Sequence, residues 1–301
     1  MRRACVLCLV AGLVWLLTGG TARAKEFTLP EAEVRVKVRA DGSVRVTEHI
    51  TYSFTGSFTG GFREIPLRPG EDLVDAQVSE DGAAYEPGAP TAIGSSGDPG
   101  TFGTASTGTG MRIVWHYAAT DERRTFTVRY TLVGLAEAWD DVIDVYLQVW
   151  GDEWDVELGH LGGEVLVPNP VDDSVRVWGH AAGVDGGTTL LDGGRGASFV
   201  AEHVPPHQFV EVRVVFPRTQ LTSTEGVKLR DGDRLDYILE QEAELAALTA
   251  ADVARERWFR DNVAWLVPLA LLLAFVPASV VAVWVYRRHG REPRVEPGPQ
   301  H

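Results

Sequence analysis

Cysteine is nearly absent from this chain. Its two copies, Cys5 and Cys8, both fall in the first ten residues. If that segment is removed, the rest has no thiol nucleophile, no disulfide and no cysteine metal site. Lysine is scarce too: Lys25, Lys37 and Lys228 are three of 28 basic residues. Basic charge as a whole is outnumbered. Residues 25–262 hold 40 acidic and 21 basic side chains, a net of −19. Nucleic-acid binding calls for a basic stripe, so that class of partner is excluded. No internal repeat is visible, and long apolar runs are limited to two.

Those two runs set an expected topology. Met1-Arg2-Arg3 is a positive start, Ala4 to Leu17 an apolar core and Ala22-Arg23-Ala24 a cleavage signal. Residues 1–24 therefore read as a secretory signal peptide, with Lys25 as the mature N-terminus. The second run, Asn262 to Tyr286, carries no charge, and about 20 apolar residues suffice to span a bilayer. Trp265, Trp284 and Tyr286 are placed as interfacial anchors. Arg287, Arg288, Arg291 and Arg294 come next, so the positive-inside rule puts the C-terminus in the cytoplasm. The expected layout is a β-rich outer domain over 25–217, a helical stalk over 218–262, a transmembrane helix over 263–286 and a tail over 287–301.

The outer domain alternates like a set of half-buried strands. Val34, Val36 and Val38 share one face, and Ala40-Asp41-Gly42 reads as a hairpin loop. The loop pairs Val38 with Val44 and Val36 with Val46, and the second strand continues through Glu48, Ile50, Tyr52 and Phe54. Further strands are expected at 74–79, 111–116, 125–133, 142–150, 156–167, 174–179 and 210–216. Many short strands with Gly/Pro turns point to a mainly β, sandwich-like fold. Residues 88–110 are different: 17 of the 23 are Gly, Ser, Thr or Pro, and they read as a flexible loop. After Pro217 the pattern turns helical, with Asp233 as a cap and Thr249-Ala-Ala-Asp252 as a second helix start.

Two stretches resemble one family. They are DGSVRVTEHITYSFTGSFTGGFREIPL (41–67) and RTFTVRYTLVGLAEAWDDVIDVYLQVWGDEWDVELGHLGGEVLVP (124–168). The segment YRRHGREP (286–293) is similar to what the same proteins carry after their first membrane helix. The family is domain of unknown function 2207, predicted membrane proteins, and the resemblance is to its N-terminal extracytoplasmic domain. It implies a β-sandwich-like outer domain and no assigned activity. Its members continue into a cytoplasmic region with further helices, so this chain is expected to be a short one.

Candidate chemistry is sparse. His203-Val-Pro-Pro-His207 is the only close histidine pair, and its prolines prevent the helical spacing that a metal-binding pair uses. Asp231-Gly-Asp233 lacks the other oxygen ligands of a calcium loop. No metal or cofactor is expected. The richest stretch, Trp139 to Glu157, places Trp139, Trp150 and Trp154 among Asp140, Asp144 and other acids. Rings beside carboxylates suit sugar binding, and a carboxylate pair suits glycoside hydrolysis. The plainer reading is core tryptophans behind a solvated acidic face.

Glu48 and Arg63 are the pointed pair. Glu48 lies on the apolar face between Val46 and Ile50, and Arg63 alternates with Ile65 and Leu67. Buried charges need partners, so an internal ion pair is expected. If residues 55–61 make a plain hairpin, however, the two are separated by roughly 16 Å at strand rise. The pair then needs a bulge, a crossing between sheets or another partner such as Arg129.

Three functions fit these readings. The first is a non-enzymatic envelope module that binds an envelope protein or serves structurally. The second is a carbohydrate- or cell-wall-binding module built on Trp139, Asp140, Asp144, Trp150 and Trp154. The third is a membrane-tethered hydrolase.

Overall fold

The computed structural model describes residues 25–290. The expected signal peptide and most of the expected tail lie outside the described residues. The chain divides at Leu235/Asp236 into two compact units.

The first unit is mainly β. Its strands are β1 (Glu26–Val38), β2 (Val44–Thr55), β3 (Ser57–Pro66), β4 (Asp72–Glu80), β5 (Ala83–Ala84), β6 (Glu86–Pro87), β7 (Thr101–Ser106), β8 (Gly110–Thr120) and β9 (Arg123–Val133). They continue with β10 (Glu137–Ala138), β11 (Val142–Trp150), β12 (Leu158–Leu166), β13 (Arg176–His180), β14 (Asp185–Leu191), β15 (Gly196–Val204), β16 (Val210–Pro217) and β17 (Lys228–Leu229). They form three sheets. The large one runs β14-β15-β12-β1-β2-β9-β4-β5, and the smaller ones run β13-β16-β11-β10-β17 and β3-β8-β7-β6.

The first hairpin arises from alternation and turn chemistry together. Val36 faces Val46 and Val34 faces Glu48 in the β1–β2 ladder, as the loop length requires. Gly42 sits at φ +83°, and a Cβ there would come within 2.1 Å of Val227. Asp41 fixes the loop by accepting from both the amide and the hydroxyl of Ser43. One face of β2 is then buried from Val44 to Phe54 and meets residues of both smaller sheets in one continuous apolar core. Trp115, Phe126, Ile143, Trp150 and Phe216 are among its fully buried side chains.

A corner at Gly56 redirects the chain after β2. Gly56 has φ +85°, and its amide donates to Asp121. Strand β3 therefore leaves the large sheet and pairs with β8, while β2 pairs with β1 and β9. Residues 55–61 are not a plain hairpin turn.

Residues 88–110 are partly built into the fold, which corrects the flexible-loop expectation for the second half of that segment. Strand β7 pairs along β8 from Thr101/His116 to Ser106/Met111. Phe102 is buried there, and the Pro90 carbonyl bonds His116. The low apolar content of the segment hid an edge strand that needs only one anchoring ring. The stalk expectation is also corrected at its start: residues 218–234 hold a short 3-10 turn and β17 rather than a helix. The Asp141 carboxylate, not Asp233, accepts from the amides of Arg234 and Leu235. Burial pulls the Asp141 pKa up, but those two bonds outweigh it and hold the carboxyl below its usual value.

The second unit is the helix α1 (Leu235–His289), apolar enough over part of its length to cross a membrane. No second start occurs at Thr249, whose hydroxyl donates back to the Leu245 carbonyl. That bond satisfies the hydroxyl inside a continuing helix. Pro268 and Pro277 lie within α1 and remove two amide donors, which accounts for its bend. Leu271, Leu272, Leu273, Phe275, Val280 and Val281 are exposed, an apolar surface that water does not favour. Arg287, Arg288 and His289 close the last turn, where positive charge suits the helix dipole.

Candidate functional site

The five candidates of the Trp139–Glu157 stretch do not form one site. Strand β11 separates Asp140 from Trp150, and at about 3.3 Å per residue the two lie tens of ångströms apart. Trp139 and Asp140 belong to the ground that residues 218–234 pack on. The Arg218 guanidinium donates to the Trp139 carbonyl at 3.0 Å, and Arg234 lies 4.7 Å over the Trp139 ring. Asp140 accepts from the Gly232 amide. Asp144 is buried and held by Arg213 through two bonds, Nε to Oδ1 at 2.9 Å and an Nη to Oδ2 at 2.5 Å. Cross-strand register explains the pair: Arg213 faces Tyr146, one same-face position from Asp144.

Trp150 and Trp154 do meet something else. Their rings stack at 4.7 Å, and the Arg63 guanidinium lies 5.9 Å from one centroid and 5.8 Å from the other. Arg63 and Glu48 form the expected buried ion pair, Nε to Oε2 at 3.0 Å, with side chains 3% and 1% exposed. The turn at Gly56 supplies the crossing between sheets that brings them together. Tyr130 donates to the other Glu48 oxygen at 2.7 Å, and Arg63 also donates to the Glu64 carbonyl. Glu153, from the loop after β11, is a second ion-pair partner for Arg63. Burial lowers the Arg63 pKa, but Glu48 and Tyr130 outweigh it and raise it above the ordinary value. Burial, then the Glu48 charge, pushes Tyr130 well up. One guanidinium against two carboxylates leaves this cluster with an excess negative charge.

Beside the cluster lies a cleft of about 260 Å³. Phe27, Tyr52, Phe54, Phe58, Tyr117 and Trp154 supply most of its wall, and Phe62, Gly60, Gly61, Glu153 and Asp155 complete it. The rings form a continuous set: Phe27 to Phe58 at 6.0 Å, Phe54 to Phe58 at 4.8 Å, Phe54 to Tyr117 at 5.5 Å and Tyr52 to Trp154 at 6.4 Å. Tyr117 donates to the Gly60 carbonyl, so that carbonyl is already engaged. Of these residues only Trp154 stands among the sequence candidates. Glu153 and Asp155 come from the same acidic stretch, while the aromatic and glycine residues were hidden because they come from β1, β2, β3 and β8, which the corner at Gly56 helps fold together. The legible trace was the alternation Tyr52, Phe54 continuing as aromatic residues at 58 and 62.

Among the described residues, no group of three or more His, Cys, Asp or Glu side chains is placed to hold a metal.

No curated protein matches the chain. It is similar to leukotriene A4 hydrolase from Saccharomyces cerevisiae at 12% identity and a TM-score of 0.35, over 63% of this chain and 29% of that one. It is similar to an M1 zinc metallopeptidase from Deinococcus radiodurans at 10% identity and a TM-score of 0.31, over 62% of this chain and 42% of that one. The chain thus spans less than half the length of these structures. The family described as "predicted membrane protein (DUF2207) N-terminal domain" matches residues 28–216, the body of the β unit. The chain belongs to this family of predicted membrane proteins, domain of unknown function 2207.

Proposed function

We propose that this protein is a membrane-anchored module of the cell envelope whose β unit lies outside the membrane and works by binding rather than by catalysis. The topology is supported by the apolar run before Lys25, by the uncharged span ending at Tyr286 and by the arginines beyond it. The observation that carries the binding reading is how the acids are used. Glu48 and Asp144, the two most buried sequence candidates among the acids, are each held by an arginine, so neither is poised to shuttle protons. The accessible feature beside the Glu48–Arg63 pair is the aromatic cleft. A photo-crosslinking side chain at Phe62, on the cleft rim, tests this in intact cells. The reading expects one discrete envelope product that is absent when the crosslinker stands at exposed Asp185. Equal products from both positions contradict it.

A second reading, attachment to an envelope polysaccharide, is supported by the place of Trp154 in the cleft wall. Sedimentation of the protein with insoluble cell-wall polysaccharide, lost in Trp154→Ala and kept in Trp139→Ala, is its expected signature.

A further inference from the structure

We infer that the aromatic cleft is a binding site for a small alkylammonium ligand. This deepens the binding reading above by naming the ligand class, and it does not depend on which side of the membrane the β unit occupies.

Charge comes first. Arg63 offsets Glu48, and the carboxylates of Glu153 and Asp155 remain at the cleft. Asp155 is 87% exposed, with His207 at 3.5 Å as its neighbour. Against the one Lys25 ammonium over Phe58, these two carboxylates leave the mouth net negative, on a unit whose overall balance is strongly negative.

The wall comes second. An aromatic face attracts a cation within about 6 Å of its centroid, and rings around a quaternary ammonium are the common use of that attraction. Two of the wall rings already have a cation in that position. The Lys25 ammonium lies 5.8 Å over the Phe58 ring, and Arg63 lies at a similar distance from Trp154. The chain's own lysine thus shows that the Phe58 ring accepts an ammonium.

Polar groups come third. A sugar carries many hydroxyls, each costly to bury without a partner. The cleft wall is mostly phenylalanine and other aromatic rings, and the Gly60 carbonyl is taken by Tyr117. Sparse, anionic polar groups on an apolar wall fit a cation with methyl or methylene substituents better than a polyol. The volume suits a ligand of a few heavy atoms rather than a chain segment.

Calorimetric titration of the full chain in a polyoxyethylene detergent tests the inference, with choline chloride against its neutral isostere 3,3-dimethyl-1-butanol and against N-acetylglucosamine. Saturable choline binding at least tenfold tighter than the isostere is expected. Phe58→Leu should weaken it fivefold or more. Lys25→Gln, which frees the Phe58 face, should tighten it. Asp155→Asn changes an exposed side chain, and it should weaken binding severalfold. Equal affinity for choline and the isostere, binding of neither, binding of the sugar alone, or choline binding unmoved by both Phe58→Leu and Asp155→Asn would overturn the inference. None of these results bears on the intact-cell crosslinking outcome, so the two readings fail separately.

Discussion

Replacing Glu48 by alanine is the most informative single change. Glu48 sits under two donors, Arg63 at 3.0 Å and the Tyr130 hydroxyl at 2.7 Å, and all three side chains are buried. Removing one partner of a buried ion pair costs about 3–5 kcal/mol, because the remaining charge stays out of water. Here Arg63 retains Glu153, whose side chain is 23% exposed, and this moves the expected loss to the lower end, about 3 kcal/mol. The orphaned Tyr130 hydroxyl adds about 1 kcal/mol or more. Chemical denaturation monitored by tryptophan fluorescence suits the measurement, since Trp150 and Trp154 flank Arg63. The triple variant Glu48→Leu, Arg63→Met, Tyr130→Phe removes every charge and donor that needs Glu48, and it should recover most of the loss. A Glu48→Ala protein within about 0.5 kcal/mol of the parent would refute the account of this cluster, since that is the range of an ordinary surface change.

Acid stability and the anchoring of β7 give two further outcomes. Glu80 is held by Arg124 and by the Tyr85 hydroxyl at 2.8 Å; burial raises its pKa, but these bonds outweigh burial and lower it. A carboxylate depressed in the folded state stabilises above its unfolded pKa of about 4.3 and loses that contribution as pH falls through the folded value. The melting temperatures of parent and Glu80→Gln should therefore differ at pH 6, and the gap should shrink as pH falls below about 4.3; a constant gap would contradict this. Phe102→Ala should cost about 3 kcal/mol or more, because the ring anchors β7, while Ile93→Ser in the same glycine-rich segment should be neutral within about 0.5 kcal/mol. Denaturation midpoints of the two variants check the contrast.

What could be read in advance, and what could not, has a physical pattern. The β1–β2 hairpin was legible to the residue because alternation and a three-residue loop specify register together. Burial of Glu48 came with that register. Its meeting with Arg63 needed the third dimension. The segment SFTGSFTGGF reads as a turn, yet Gly56 makes a corner and residues 57–66 cross into another sheet. Strand β14 (DGGTTLL) escaped notice because it is mostly exposed and shows no alternation. Strand β7 escaped because Phe102 is its one large apolar residue. The Trp139–Glu157 stretch looked like one site because its residues are close in sequence. An extended strand carries its two ends far apart, so only its far end, Trp150, Glu153 and Trp154, reached the charge cluster. The cleft was least visible, being assembled from strands distant in sequence.

The central claim is an outward β unit on a membrane anchor, and labelling of single cysteines on intact cells tests it most directly. Cys5 and Cys8 are changed to serine, and a cysteine is placed at Asp98 or at Gly298. A membrane-impermeant maleimide should label position 98 without lysis and position 298 only after lysis. Label at 298 on intact cells, with 98 protected, would contradict the account.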